Sequence, residues 1–139
     1  MTTKAVLALA LALALALALV ATPALAQQQA CAPPLSPMLK VELYFGLSVQ
    51  GRRPVSDREW ARFVAQELSH RFKGLTVLDG RGIWRAGQHE MREHSKLVVA
   101  VAEDGAATRN AIAEVTDAYK RRFHQISVGI VTQPVCAAF

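Results

Sequence analysis

The chain has 139 residues, of which 52% are hydrophobic and 19% are charged, and its formal net charge at pH 7 is +5. This length suits one domain with one modest core and argues against a multidomain protein. The small excess of positive charge suits solubility and weak attraction to anionic surfaces, and it argues against dedicated nucleic-acid binding.

The N-terminus has the pattern of a secretory signal peptide. A short cationic start precedes an uninterrupted apolar run from Ala5 to Val20, and Ala24-Leu25-Ala26 is a small-residue cleavage site. The run has 16 residues, whereas a membrane span needs about 20. We therefore expect residues 1–26 to be removed after Ala26, leaving a periplasmic or secreted protein without a membrane span. Retention of the segment as an uncleaved anchor is the alternative.

The first strand follows a short linker. Residues 27–39 are rich in Gln, Ala and Pro and lack periodicity, which predicts a linker. From Lys40 to Val49 every odd position is apolar, whereas the even positions hold lysine, glutamate, tyrosine, glycine and serine. This alternation predicts a strand with one face against a core and one open face.

A helix should come next. Ser56 and Glu59 match a capping box, and Gly74 is expected to end the helix. Four apolar residues recur at every fourth position between them: Trp60, Val64, Leu68 and Phe72. This spacing predicts one helical face packed on a core.

Two strands joined by a hairpin should follow the helix. Residues 75–78 predict the second strand, which resumes at 83–85 after two glycines that suggest a bulge or a close backbone approach. Ala86-Gly87-Gln88 is the expected turn, and residues 89–101 predict the third strand. Because its end, Leu97 to Val101, is apolar on both faces, this strand should be central in the sheet.

The last two elements complete the fold. Asp104-Gly105 should open a second helix, and residues 126–132 predict the last strand, ended by Pro134. The apolar positions of that helix are Ile112, Val115, Tyr119 and Phe123. The order βαββαβ predicts an α+β fold over residues 40–139, a ferredoxin-like sandwich with a four-stranded antiparallel sheet of order 4-1-3-2 and both helices on one face.

The two cysteines offer an independent check on this topology. Export makes a disulfide between Cys31 and Cys136 the expected state. In the predicted order the first and fourth strands are antiparallel neighbours, so the residues entering the first strand lie beside those leaving the fourth. The cysteines occupy those two places.

An ordered set of motifs over residues 40–131 resembles a bacterial family of small exported proteins catalogued only as a domain of unknown function. The set comprises Leu43-Tyr44-Phe45-Gly46, Trp60 with Phe63, Phe72, Gly74-Leu75-Thr76-Val77-Leu78-Asp79, Gly82 with Trp84, Arg92-Glu93 with Ser95-Lys96, and Tyr119 with Phe123, Gln125 and Ser127-Val128. The resemblance implies no activity or cofactor. That family includes lipoprotein members. In this chain Gln28 occupies the position at which lipoprotein processing needs an aliphatic residue, so no acyl chain is expected on Cys31.

The open face of the sheet is the candidate functional surface. Assuming that odd residues of the first and third strands face the helices, the open face should carry Glu42, Tyr44, Gly46, Lys96, Val98, Ala100, Gly129 and Val131, with Leu78 beside them. Glu42 and Lys96 should form a cross-strand ion pair. The candidate binding residues are Glu42, Tyr44, Lys96 and Trp84, because Tyr44 and its apolar neighbours would form a patch in water.

Other clusters carry weaker indications. His89 and His94 are five residues apart, which on a strand places them on opposite faces, so we expect no metal site. The basic run Lys120-Arg121-Arg122 with His124 suits the end of a helix better than a phosphate or acidic-lipid site. RNA binding through the sheet is not expected, because it needs stacking aromatic residues on two central strands and the third strand offers none on the open face; no motif indicates a cofactor.

Two classes of function fit these features. The first is a non-catalytic module that uses the open face to form a homodimer or to bind a partner protein or a small apolar ligand. The second is a small enzyme similar to the dimeric α/β barrel proteins, with a pocket between two sheets lined by Glu42, Tyr44, Lys96 or Trp84. No catalytic residue is assigned, because the sequence shows no nucleophile or base with an orienting partner.

Overall fold

The computed structural model describes residues 30–49 and 51–139, so the predicted signal peptide and cleavage site lie outside the described residues. The elements in chain order are β1 (Ser36–Gly46), α1 (Asp57–Phe63), a π-helical segment (Val64–Leu68), β2 (Leu75–Ala86), β3 (His89–Ala102), α2 (Ala106–Phe123) and β4 (Gly129–Ala137). The predicted βαββαβ order is confirmed.

The four strands form one antiparallel sheet of order β2-β3-β1-β4, which is the predicted 4-1-3-2 arrangement counted from the other edge. Both helices pack on the face of β1 that carries Phe45, whose ring lies 5.2 Å from that of Trp60 on α1 and 4.7 Å from that of Tyr119 on α2. The fold is therefore the predicted ferredoxin-like sandwich with one open sheet face.

β1 begins earlier than predicted. The strand starts at Ser36, four residues inside the stretch expected to be linker, because residues 36–39 pair with the end of β4. Its burial alternates as the sequence pattern requires: Val41, Leu43 and Phe45 are fully enclosed on the helix side.

The first helix begins as predicted and ends earlier. Ser56 and Glu59 form the capping box, in which the Ser56 hydroxyl accepts from the Glu59 N–H and the Glu59 carboxylate accepts from the Ser56 N–H. The helix then widens into the π-helical segment and ends at Leu68, so the expected stop at Gly74 is wrong. The extra residue per turn brings Phe63 and Leu68, five residues apart, onto the buried face, and Val64 is only partly buried.

The β2–β3 hairpin is longer and more regular than predicted. β2 pairs with β3 without interruption from Leu75 to Ala86, so the glycines create no bulge. They do mark close approach, since a methyl group at Gly80 would lie 2.7 Å from the Ser95 hydroxyl oxygen. The hairpin turns at residues 87–88, where Gly87 has a φ of 62°.

β4 also differs from its predicted bounds. It starts at Gly129 and continues to Ala137, through the proline expected to end it. β4 is an edge strand that pairs only with β1 among the described strands, and an edge tolerates Pro134 because the missing N–H need not face a neighbour.

The predicted disulfide is confirmed. Cys31 and Cys136 are bridged with a Cα–Cα distance of 5.6 Å, and they close a loop of 105 residues in sequence separation. The bridge lies where the entry to β1 meets the end of β4, as the strand order requires. It ties the first described residues to the last strand.

Candidate functional site

Strand register decides which side chains line the open face, and it corrects one expectation. Phe45 pairs with Lys96 and Leu43 with Val98, so even residues of β3 share the helix side with odd residues of β1. The prediction that Lys96, Val98 and Ala100 face the open side is therefore wrong, and Val98 and Ala100 are buried. The register instead places the odd residues, including Leu97 and Val99, beside Tyr44 and Glu42.

The open face carries an apolar patch around Glu42. Tyr44 pairs with Leu97 and Gly129, Leu97 pairs with Leu78, and Glu42 pairs with Val99 and Val131. We call the following five residues the apolar patch: Tyr44, Leu78, Leu97, Val99 and Val131. Tyr44 is 38% exposed, Leu78 48% and Val131 49%, and no described element covers them. Large apolar side chains that share one uncovered face usually mark a binding surface.

Polar residues of β1 on this face are paired with one another. The Lys40 ammonium contacts Glu42 at 2.5 Å, and the Tyr44 hydroxyl donates to Glu42 at 2.8 Å. The hydrogen bond from Lys40, followed by that from Tyr44, lowers the pKa of Glu42, and the bond to Glu42 raises the pKa of Tyr44. Tyr44 thus stays protonated at neutral pH and serves as a hydrogen-bond donor, not as a base.

Lys96 belongs to a structural contact on the other face. Its ammonium lies 2.5 Å from Asp79 on β2 and 3.2 Å from Asp57 at the start of α1, and its side chain is only 12% exposed. The hydrogen bond to Asp79 is the largest cause that raises the pKa of Lys96. The expected pair between Glu42 and Lys96 does not form, because the register separates them onto opposite faces.

Trp84 lies on the open face but far from Tyr44. It pairs with Met91 near the hairpin end, and it is 55% exposed. It lies six positions along β2 from Leu78, which is in the row of Tyr44, a distance of about 20 Å along a strand. The four predicted site residues therefore do not form one site: Glu42 and Tyr44 lie together, Trp84 lies at the far end, and Lys96 lies on the other face.

A carboxylate missed by the sequence prediction lies between these ends. Glu93 pairs with Gly82, and methyl groups at Gly46 and Gly82 would lie 2.7 Å from its Oε2 and 3.6 Å from its Cγ respectively. The Trp84 Nε1 would lie 3.0 Å from the same methyl at Gly82. Gly46, Gly82, Trp84 and Glu93 are called the Glu93 notch below. In the sequence, Gly46 and Gly82 were the signal that could have indicated this site, because the absence of their side chains leaves the space that the Glu93 carboxylate occupies.

The backbone of β1 beneath the Glu93 notch is hydrogen-bonded to a residue on the helix side of the sheet. The Tyr119 hydroxyl on α2 donates to the Gly46 carbonyl at 2.9 Å, and the Tyr119 side chain is fully buried. Burial raises the pKa of Tyr119, and the negative charge of Glu93 across the sheet raises it further. Tyr119 is thus a fixed, neutral donor that positions the backbone of β1 below Glu93.

Two further depressions lie away from these features. A cleft of about 710 Å³ lies beside the start of β2 and the end of β3, away from the hairpin turn, and is bordered by Phe72, Lys73, Val101 and Thr108 among others. A smaller one, about 220 Å³, brings Arg52 and Arg53 near Arg122 and His124, but Arg53 is already bound to Glu59 through two hydrogen bonds.

Two other features are absent from the described residues. These residues contain no group of three potential metal ligands. None of their helices is long and apolar enough to cross a membrane.

The solved structures that resemble this chain have very different sequences. A phage SAM lyase in complex with S-methyl-5'-thioadenosine is 12% identical, with a TM-score of 0.56 over 73% of this chain and 90% of the lyase chain. A phage SAM lyase in the apo state gives 15% identity and a TM-score of 0.54 over 73% and 86% of the two chains. CPII, a nitrogen regulatory PII-like protein from Thiomonas intermedia K12 bound to ADP, AMP and bicarbonate, is 12% identical with a TM-score of 0.45 over 76% and 97%. The likeness to the lyase shows a shared fold alone.

None of the curated proteins is significantly similar to this chain. A family of proteins of unknown function, DUF3574, matches residues 40–139, which include all of the sheet from Lys40 onward and both helices. The motif resemblance drawn from the sequence is thereby confirmed, and the chain belongs to the DUF3574 family.

Proposed function

We propose that this protein is an exported binding module whose apolar patch associates with the same patch on a second copy of the chain. The observation that carries the proposal is the exposure of Tyr44, Leu78 and Val131 on one uncovered sheet face. A twofold interface uses one self-complementary surface on both copies. The patch suits this use because the one charged side chain that lies among its members, that of Glu42 between Val99 and Val131, is already paired with Lys40.

The size of the face supports association. Four strands at the usual spacing of ~4.8 Å make the sheet about 19 Å wide, and the 12 residues of β2 extend about 40 Å. The whole face approaches the ~800 Å² per partner of a standard interface, and the part beside Tyr44, without the hairpin end, is smaller, in the range of weak or transient association. Beside Tyr44 the charges are already paired, because Lys40 and Glu42 neutralise each other, and Glu93, which has no counterion among the described residues, lies outside this part of the face.

Adjacent residues of β4 provide a matched test. Val131 and Ile130 are both 49% exposed, but Val131 faces the open side and Ile130 faces the helix side. We expect light scattering after size-exclusion chromatography to show a dimer for the exported protein, a monomer for Val131→Glu, and a dimer for Ile130→Glu. A monomeric wild type at all concentrations would refute the proposal. Dissociation by both substitutions would show pairing through the β4 edge and would equally overturn it.

Export is the second part of the proposal. The support is the disulfide between Cys31 and Cys136, which persists in oxidising compartments. We expect the protein recovered from a host's periplasm to start at Gln27 and to carry no acyl chain. Intact mass spectrometry decides this, since a mass that matches a retained leader or an acylated Cys31 start would contradict it.

Catalysis is not part of the proposal. The open face holds two acidic side chains near Tyr44 and Trp84, but the Tyr44 hydroxyl and the Glu42 carboxylate are bound to each other. A small molecule recovered with the native dimer by native mass spectrometry would instead favour an enzyme with a pocket between two sheets.

A further inference from the structure

Glu93 is a carboxylate without a counterion. No described residue donates a hydrogen bond to it or forms an ion pair with it, whereas the described part of the chain pairs Glu42, Glu59, Glu67 and Glu90 with lysine or arginine. Glu93 is also half-buried, since it lies against the backbone at Gly46. A partly desolvated carboxylate gains from a cation more than a fully solvated one does.

The surroundings of this carboxylate select the kind of cation. The Trp84 indole lies beside the same glycine as Glu93, with more than half of its surface exposed. An aromatic face attracts organic cations through its quadrupole and also contacts their alkyl groups. A single carboxylate is too few ligands for a metal ion, and the described residues hold no metal-ligand group at this place.

The glycines make room for the carboxylate beside the indole. Any side chain at Gly46 would collide with the Glu93 carboxylate, and one at Gly82 would displace the Trp84 indole. The backbone at Gly46 is in turn fixed by the Tyr119 hydroxyl from below. The carboxylate and the aromatic ring are therefore held near each other on one pair of hydrogen-bonded strands, not on a loop.

We propose that the Glu93 notch binds the positively charged head of a small organic ammonium compound, with Glu93 supplying the counterion and Trp84 the aromatic wall. This site goes beyond self-association through the apolar patch. The two are separable, because the notch is built by residues of one chain and lies toward the hairpin end of the face.

Choline and its uncharged carbon analogue 3,3-dimethyl-1-butanol are suitable probes. The chain has two tryptophans, of which Trp60 is buried in the core and Trp84 is exposed in the notch, so Trp60 serves as an internal control. In ¹H–¹⁵N spectra of the exported protein, choline should shift the Trp84 indole resonance saturably and leave that of Trp60 in place. The uncharged analogue should bind about tenfold more weakly or not at all, the effect of losing one charged contact.

Single substitutions test which side chains bind choline. Glu93→Gln should weaken choline binding about tenfold, whereas Glu90→Gln, on the opposite face of β3 and bound to Arg92, should not change it. Val131→Glu, which should break the dimer, should also leave choline affinity unchanged. Absence of a saturable shift, equal binding of both probes, or unchanged binding by Glu93→Gln would each overturn the proposal. The comparison of the two probes uses the wild type and holds even if a variant fails to fold.

Discussion

Replacement of Leu68 by alanine tests the packing of the π-helical segment. Leu68 is fully buried among the core residues contributed by both helices and β1. Truncating a buried leucine to its Cβ costs about 2 to 5 kcal/mol, because transfer free energy is lost and a cavity remains. We expect about 3 kcal/mol here. With a urea m-value of about 1.5 kcal/mol/M, this lowers the unfolding midpoint by about 2 M.

Leu78 provides the matched control for this substitution. It is the same residue type, but it is 48% exposed on the open face. Leu78→Ala should cost less than about 1 kcal/mol when the protein is dilute, because little apolar surface returns to water. Urea unfolding at a concentration below that of self-association, followed by tryptophan fluorescence, measures both variants. Equal losses for the two, or a loss below about 1 kcal/mol for Leu68→Ala, would refute the assignment of Leu68 to the core.

Three other predictions concern contacts that hold the fold. Tyr119→Phe removes the hydroxyl that donates to a β1 carbonyl and should cost about 1 to 2 kcal/mol in urea unfolding; an unchanged midpoint would contradict the bond. Joint replacement of Cys31 and Cys136 by serine opens a loop of 105 residues and should cost up to about 4.7 kcal/mol, with no further effect of reductant. Arg53 is the main cause that lowers the pKa of Glu59 below its usual 4.5, so this carboxylate stabilises the fold above that pH, and the stabilisation is lost as pH falls toward the folded-state value. Glu59→Gln should therefore be less stable than wild type at pH 7 and approach it in acid; a constant difference across pH would argue against this contact.

Much of the fold was predictable because its signals are local and agree with one another. The capping box, the alternation of β1 and the apolar positions of α2 each lie within a few residues and match the observed elements. The predicted signal peptide then made a disulfide expected, and its place between β1 and β4 follows from the strand order. The element ends were less predictable. Pairing with β4 extends β1 to Ser36, and the π-helical segment ends the first helix before Gly74.

The candidate site was only partly predictable for a specific physical reason. Glu42 and Tyr44 could be placed on the open face, because only the odd-numbered positions of β1 are consistently apolar. A shift of the strand pairing by one residue would bury the charged side chains of β1. β3 has no such constraint at Leu97 to Val101, where every residue is apolar, so either parity could face the helices. The sequence thus left the face of Lys96 open.

What the sequence alone determined is the order of the elements, the open face of β1 and the partners of the disulfide, because each depends on periodicity or on a pair of cysteines. What only the tertiary structure decided is the register of β3 against β1. That register sends Lys96 to Asp57 and Asp79 on the helix side and brings Glu93 over Gly46 on the open side. Side chains from separate strands meet through hydrogen-bonded pairing across the sheet, and when both parities of a strand are apolar, hydropathy along the chain does not specify that pairing.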